Sequence, residues 1–386
     1  MTLSRKYISW QPVLTDHQAY TYLELSHLSN SSLIAYVTKL EDETRRSQGW
    51  SDTQVQEIER RLIPKAWSLF YCYRQLLKHR NDIHIFSSAF QEPKMILCLF
   101  LALWLGNEVY IISEPYSPVS DGYFYDKIKI INYLKSKMRP IIYKLYTLII
   151  RNKISGLFAI SRLAVSQYRR AGVPKNKVFP FGYFIPKINT GSSVNEVIPR
   201  KMKVIFVGSL ITRKGIDILI TAANSAQARG GQLTVDVFGP GDPHAFHFDD
   251  EIVRYRGYIP FGTTQQVVSN YDLLVLPSRY DGWGVVVNEA LCAGVPVLCS
   301  NQVGASAVVE HFDAGLIFPS GNSKVLSELL LELCNDRSRL KVLREAALRA
   351  CNSLQPAIAA EYMLRVIQEK PKFKADISSP WYSVLS

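Results

Sequence analysis

The stretch RYDGWGVVVNEALCAGVPVLCS, residues 279–300, sets a carboxylate at Asp281, then Gly282-Trp283-Gly284, then a second carboxylate at Glu289 inside an apolar run. Glycines on both sides of Trp283 let the backbone approach a ligand closely. Amides at the start of the helix that follows can donate to hydroxyl or phosphate oxygens. A carboxylate only accepts, so two of them spread over ~10 Å of loop and helix call for donors such as sugar hydroxyls. A second cluster lies upstream, in KVIFVGSLITRKGIDIL, residues 203–219. There a strand ends at Gly208, a short loop holds Ser209, Arg213 and Lys214, and a helix opens at Gly215. Cations ahead of a helix N-terminus form an anion site, because free N–H groups and the helix dipole add to the side-chain charge. Phosphate or diphosphate is the natural occupant. Hydroxyl acceptors beside an anion cradle match a polyol joined to a phosphate, which is the shape of a sugar nucleotide. Each feature alone has a plainer reading. Arg213 and Lys214 can be surface cations, and Glu289 can be a buried acid bonded to a backbone amide.

Several other chemistries lack their signatures. The chain has neither G-x-x-x-x-G-K-[ST] nor G-x-G-x-x-G, the usual ATP and dinucleotide loops. It has no D-x-D pair and no Cys/His cluster at zinc spacing, so no metal or other cofactor is expected. The six cysteines include no C-x-x-C and sit mostly in apolar surroundings, as reduced core thiols do.

The elements that must position these residues alternate. Strand-like runs KVIFVG, LTVDVFG, IVRYRGY, YDLLVLPS, VPVLCS and GLIFPS are separated by amphipathic helix-like runs, which predicts a parallel sheet covered on both faces. The first half alternates too, with candidate strands YISWQP, LIAYVT, DIHIFSS, EVYIIS, GLFAIS and KVFPFG. Asp16 is expected to cap the helix HQAYTYLELSHL. Ser51 with Gln54 predicts a capping-box start for a helix over SDTQVQEIERRL. His84 alternates within a strand and reads as structural. PKINTGSSVNEVIPRK, residues 186–201, is polar and aperiodic and reads as a linker. The expected organisation is a first domain over 1–197, a second over 198–365, and a tail over 366–386 that returns to the first. Ligands of such sheets sit at the carboxyl ends of the strands.

Taken together, G-S-L-x-x-R-K-G, FGPGDP, Y-x-G-Y-x-P, D-L-L-V-L-P-S and D-G-W-G-V-V-V-N-E-A-L-x-A-G-x-P-V, in that order over about residues 201–320, resemble the donor half of retaining GT-B glycosyltransferases, in particular glycosyltransferase family four. The resemblance implies an α/β fold of two doubly wound, Rossmann-like domains whose parallel sheets face each other across a cleft. It implies that Lys214 and Arg213 neutralise a departing nucleoside diphosphate, close to Gly208 and Ser209. Asp281 would contact the transferred sugar and Glu289 the ribose hydroxyls. Gly282, Trp283 and Gly284 would offer backbone amides, and Tyr258 and Ile259 would lie near the base. The transfer would retain configuration and need no metal. The chain departs from the family pattern in places. Ser209 stands where an Arg is common, and Asp281 is one methylene shorter than the usual Glu. The first turn, QPVLTDHQAY, lacks the glycine pair, and EVYIIS is followed by Ser113 and Glu114 rather than a histidine. His17 and Glu114 are therefore the acceptor-side candidates.

The formal net charge is +12, and residues 123–153 hold eight basic side chains against one acid, Asp126. Isoleucines and tyrosines are interleaved with them. A basic amphipathic segment of this kind suits an anionic membrane surface, and also reads as a solvated helix face. No nucleic-acid motif accompanies the charge, so nucleic acid is not an expected partner. MTLSRKYISWQPVL has no apolar signal-like run, and MILCLFLALWLG is too short to span a bilayer. The expectation is a cytoplasmic enzyme, peripheral at the inner face of the cell membrane. Its donor would be a UDP- or GDP-sugar and its acceptor a polyprenyl-linked or other glycan. A sugar-nucleotide epimerase or phosphorylase on the same fold, or an inactive donor-binding subunit, stand as alternatives.

Overall fold

The computed structural model describes residues 5–40, 55–87, 92–118, 129–188, 201–249 and 251–381. The chain divides into two units. One takes Met1–Tyr116, Met138–Pro186 and Gln355–Ser386, the other Ser117–Lys137 and Lys187–Leu354.

The first unit is built on strands β1 (Tyr7–Gln11), β2 (Leu33–Val37), β3 (Glu59–Leu62), β4 (Ile83–Ser87), β5 (Glu108–Ser113), β6 (Gly156–Ile160) and β7 (Val178–Phe181). They lie in the order β3-β2-β1-β4-β5-β6-β7, and every pairing is parallel. β1, β2 and β4 are buried along their whole length, which is why their sequences run nearly continuously apolar. Helix α1 (Asp16–Ser29) follows β1. Helices α2 (Ser68–Lys78), α3 (Pro93–Trp104), α4 (Lys129–Ile150) and α5 (Ser161–Ala171) share one core on a single face of the sheet. Leu76, Leu99, Tyr146 and Tyr168 meet Trp10, Phe86 and Ile111 there. No helix among the described residues is long and apolar enough to cross a membrane.

The second unit holds β8 (Met202–Val207), β9 (Leu233–Phe238), β10 (Val253–Tyr255), β11 (Leu273–Leu276), β12 (Val297–Ser300) and β13 (Gly315–Phe318). Their order is β10-β9-β8-β11-β12-β13, again all parallel. The helices between and after them are α6 (Ile216–Ala228), α7 (Thr264–Val268), α8 (Val285–Cys292), α9 (Ser306–His311), α10 (Ser323–Asn335) and α11 (Arg337–Asn352).

The chain then returns to the first unit through α12 (Pro356–Gln368), which packs against α1. Tyr362 lies 6.3 Å from the Phe158 ring and 6.4 Å from Phe181, centre to centre. Beyond α12, Lys374 donates to the Tyr110 hydroxyl at 2.6 Å, and Trp381 packs 4.7 Å from Phe184.

Three expectations differ from this structure, and a fourth falls outside the described residues. The return begins at Gln355, ahead of residue 366, because the helix that covers α1 already belongs to it. Glu59–Leu62 is not helix but the edge strand of the first sheet, where half-exposed charged side chains are tolerated. Ser51 and Gln54 of the expected capping box lie outside the described residues. Asp16 is the first residue of α1 and not its cap; Thr15 holds the cap position, and its carbonyl accepts from Gln18 and Ala19. The basic segment is helical over Lys129–Ile150, and the division between units falls within it, at Lys137–Met138. Residues 123–128 are outside the described set.

His84 is fully buried. Its Nδ1 accepts from the Trp10 indole at 3.0 Å, and its Nε2 lies 2.9 Å from the His79 carbonyl. An indole N–H can only donate, so the proton sits on Nε2 and the ring is neutral. Burial pushes its pKa down to about 4, although the His79 carbonyl works the other way. Between 6.5 and 4 the unfolded chain therefore binds the proton that the folded chain refuses. Stability should fall as pH drops through that window, by up to about 3 kcal/mol for this group. Denaturant melts from pH 7.5 to 4.5, compared with His84→Gln, should show this slope as a difference between the two proteins.

Candidate functional site

The anion cluster and the carboxylate stretch meet at the carboxyl ends of β8 and β11. Gly215 has φ +75°, and a Cβ there would fall 2.1 Å from the Pro277 carbonyl oxygen. Only glycine allows that approach, and it sets the start of α6 against the loop after β11. The two loops then bond to each other. The Arg279 N–H donates to the Arg213 carbonyl at 2.8 Å, and Arg213 Nη1 returns a bond to the Tyr280 carbonyl at 2.8 Å. Arg279 reaches the Thr212 carbonyl at 2.6 Å and forks onto the Asp217 carboxylate at 2.8 and 2.6 Å. Lys214 Nζ donates to Asp281 Oδ2 at 2.5 Å. Arg279 carried no role in the sequence reading. Its partner is 62 residues away, and no local pattern announces such a pair.

Asp281 is buried. Burial alone would raise its pKa. The Lys214 and Arg213 charges, the Lys214 hydrogen bond and the Trp283 amide outweigh it and hold the carboxyl below its usual range. Asp281 is therefore ionised at neutral pH. The Trp283 amide faces this carboxylate. The Trp283 ring is a core element whose Nε1 donates to Asn288 Oδ1 at 2.8 Å. The loop after β12 closes the third side. Its Gly304 and Ala305 amides donate to the Asp281 and Trp283 carbonyls at 3.0 and 2.8 Å. Gly284 has φ +88°, and a Cβ there would sit 2.9 Å from Leu276, so it seats the start of α8 on β11.

Glu289 lies on α8 with a different environment. Burial raises its pKa to about 7, and a hydrogen bond with Thr264 lowers it only in part. Gly208 and Ser209 are half-buried beside Lys214, whose stem passes 3.9 Å from a Cβ built at Gly208. Tyr258 is 58% exposed, and Ile259 is half-buried in the segment after β10.

In the first unit the structure joins the two acceptor-side candidates through a residue that no motif pointed to. The Tyr183 hydroxyl donates to Glu114 Oε1 at 2.5 Å, and the His17 ring lies 4.4 Å from the Tyr183 ring. His17 opens α1 after β1, Glu114 follows β5 and Tyr183 follows β7, so all three lie at carboxyl ends of strands. Gln11, the last residue of β1, is buried with neither side-chain amide atom hydrogen-bonded. Among the described residues no group of three His, Cys, Asp or Glu side chains is placed to hold a metal ion.

Residues 192–350 match the family of glycosyl transferases group 1. An amylovoran biosynthesis glycosyltransferase of Erwinia amylovora is 24% identical over 190 residues, 46% of this chain and 47% of that protein. An O-antigen chain mannosyltransferase B of Escherichia coli is 35% identical over 86 residues, 22% of each chain. The chain thus spans about half or less of the length of the curated relatives it matches. Among solved structures, TarM superposes with a TM-score of 0.68 at 12% identity, over 95% of this chain and 99% of that one. Alr3699/HepE of Anabaena in complex with UDP gives 0.66 at 14%, over 94% and 99%. Likeness at these identities shows the fold, and that fold is GT-B.

The raised Glu289 carboxyl has a thermodynamic consequence. Between 4.5 and 7 the folded chain holds a proton that the unfolded chain releases, so stability from this group is lost as pH rises through that window. By pH 8 the loss should reach about 3 kcal/mol. Glu289→Gln keeps the Thr264 contact and should therefore melt later than the wild type at pH 8, with the difference vanishing near pH 4.5. Calorimetry of the two proteins across that range checks the expectation.

Proposed function

Because residues 192–350 match the family of glycosyl transferases group 1, we propose that this protein moves a sugar from a UDP- or GDP-sugar onto a lipid-linked glycan in cell-surface polysaccharide assembly. The observation that carries the reading is the Lys214–Asp281 pair at 2.5 Å, with Arg213 on the same loop. The hard step of such a transfer is the departure of a diphosphate carrying new negative charge. Lys214 has three N–H donors, of which Asp281 takes one, leaving others for phosphate oxygens. The loops are locked before any ligand arrives, so little reorganisation is needed as the charge forms. No protein-bound metal is called for in this scheme. The bond from the anomeric carbon to the phosphate oxygen breaks and the bond to the acceptor oxygen forms, with configuration retained. The acceptor proton passes to the departing phosphate.

Other residues take supporting roles. Glu289, as a carboxylate, accepts from the ribose hydroxyls, and Tyr258 with Ile259 flanks the base. Asp281 orients the transferred sugar through Lys214 and the adjoining Gly282 and Gly284 backbone. In the first unit Glu114, aligned by Tyr183 and bordered by His17, receives the acceptor. Alr3699/HepE of Anabaena was solved with UDP, which supports a UDP-sugar as one of the two donor types. The work is done in the cytoplasm at an anionic membrane surface, which α4 meets with Lys144 and the outward side chains Ile141 and Leu145.

Purified protein should release nucleoside diphosphate from one member of a panel of UDP- and GDP-sugars. Lys214→Ala should lower the rate by about 10²–10³, and Glu289→Ala should weaken donor binding. Glu114→Gln should slow transfer while leaving donor affinity unchanged. Donor that binds but is never turned over would reject the transferase reading; no binding by any donor would reject the site.

A further inference from the structure

We propose that the outer face of the α2–α3–α4 helix layer, in the part of α4 from Met138 onward, docks on an anionic lipid bilayer with Trp67 and Trp104 as its anchors. This deepens the membrane part of the proposed function and rests on it. The three helices share one core and therefore cover the same face of the first sheet. They are neighbours: Lys94 at the start of α3 reaches the Lys65 carbonyl ahead of α2 at 3.5 Å, and Phe100 of α3 lies 6.2 Å from Tyr146 of α4. Their outward side is unusually apolar. Trp67 is 83% exposed, Trp104 71%, Phe70 59% and Leu145 58%, and Leu97 and Ile149 are exposed as well. Leu97 and Trp104 are seven residues apart, so they stack on one side of α3. Trp67 precedes α2 in a left-handed conformation, φ +55°, which is uncommon for a bulky residue and leaves the ring in solvent.

The charge pattern selects the occupant. Helices α2 and α3 and the part of α4 from Met138 onward together hold five cations, Arg74, Lys78, Lys94, Arg139 and Lys144, and no acid. A water-facing helix layer normally mixes both signs and keeps large apolar groups few. A symmetric second copy would set this uniformly basic face against itself, which is repulsive. A bilayer satisfies both features at once. Trp rings settle at headgroup depth, aliphatic side chains enter the acyl boundary, and Arg74, Lys94 and Lys144 reach lipid phosphates.

The test is co-sedimentation of the full chain with vesicles of phosphatidylcholine alone and of phosphatidylcholine mixed with phosphatidylglycerol. Wild type should pellet with the anionic vesicles, less with the neutral ones, and less again as salt is raised. Trp67→Ala with Trp104→Ala should weaken binding about tenfold or more, and Leu145→Ala with Ile149→Ala should do likewise. All four side chains are exposed, so thermal melts should be unchanged and should separate lost docking from misfolding. If the tryptophan pair binds as wild type while the α4 pair does not, the three-helix face is overturned and the α4 contact alone survives. No binding to either vesicle overturns the membrane reading altogether, while diphosphate release still judges the transferase reading separately. Equal, salt-insensitive binding to both vesicles overturns the anionic recognition. A dimer in sedimentation velocity that the tryptophan pair abolishes, without vesicle binding, assigns the face to a second copy and overturns the proposal.

Discussion

Two adjacent cations, Arg213 and Lys214, repel each other, and the loop after β8 has no counter-charge of its own to hold them. The loop after β11 supplies what is missing: a carbonyl from Tyr280 for the guanidinium and a carboxylate from Asp281 for the ammonium. The close approach of Gly215 to Pro277 brings the loops near enough for this exchange. Arg279 closes the exchange from the other side by reaching back to Thr212 and Asp217. The strands of the second unit matter to function mainly because they deliver these two loops to neighbouring strand ends, β8 and β11.

The same environment sorts the two carboxylates. Asp281 is buried and Glu289 half-buried, and they end on opposite sides of their ordinary acidity. Asp281 has two cations at hand and stays ionised. Glu289 has only a hydroxyl, so its charge is disfavoured until something with several donors arrives. Groups of one type driven apart by their surroundings are the mark of divided roles.

Much of this was legible in the residues. The central strands β8 and β11 of the second unit are apolar runs ended by glycine or proline, and buried parallel strands leave that trace because both faces need hydrocarbon. Arg213, Lys214, Asp281 and Glu289 were legible because glycines and a helix start stand beside them in sequence. What escaped is what tertiary contact alone creates. Glu59–Leu62 carries three charged residues in four, a composition allowed only because the strand is at the sheet edge. Tyr183 sits in PFGYF, which resembles any aromatic strand end until β5 and α1 bring Glu114 and His17 to it. Arg279 escaped because its partner, the distant Asp217, leaves no local signature.

The first unit is discontinuous in the chain, and this orders events in time. Its sheet is finished by Phe181, but α1 is covered only when α12 is made, and Phe184 only when Trp381 arrives. At a ribosomal rate of roughly 5–20 residues per second, the ~170 residues between those parts take on the order of ten to thirty seconds. The second unit's sheet strands lie wholly within that interval, so that sheet can form while the first still exposes the flank of α1. During synthesis the part emerging first is thus the later of the two to be completed, and for that time it carries bare apolar surface that a chaperone or a neighbouring nascent chain can reach.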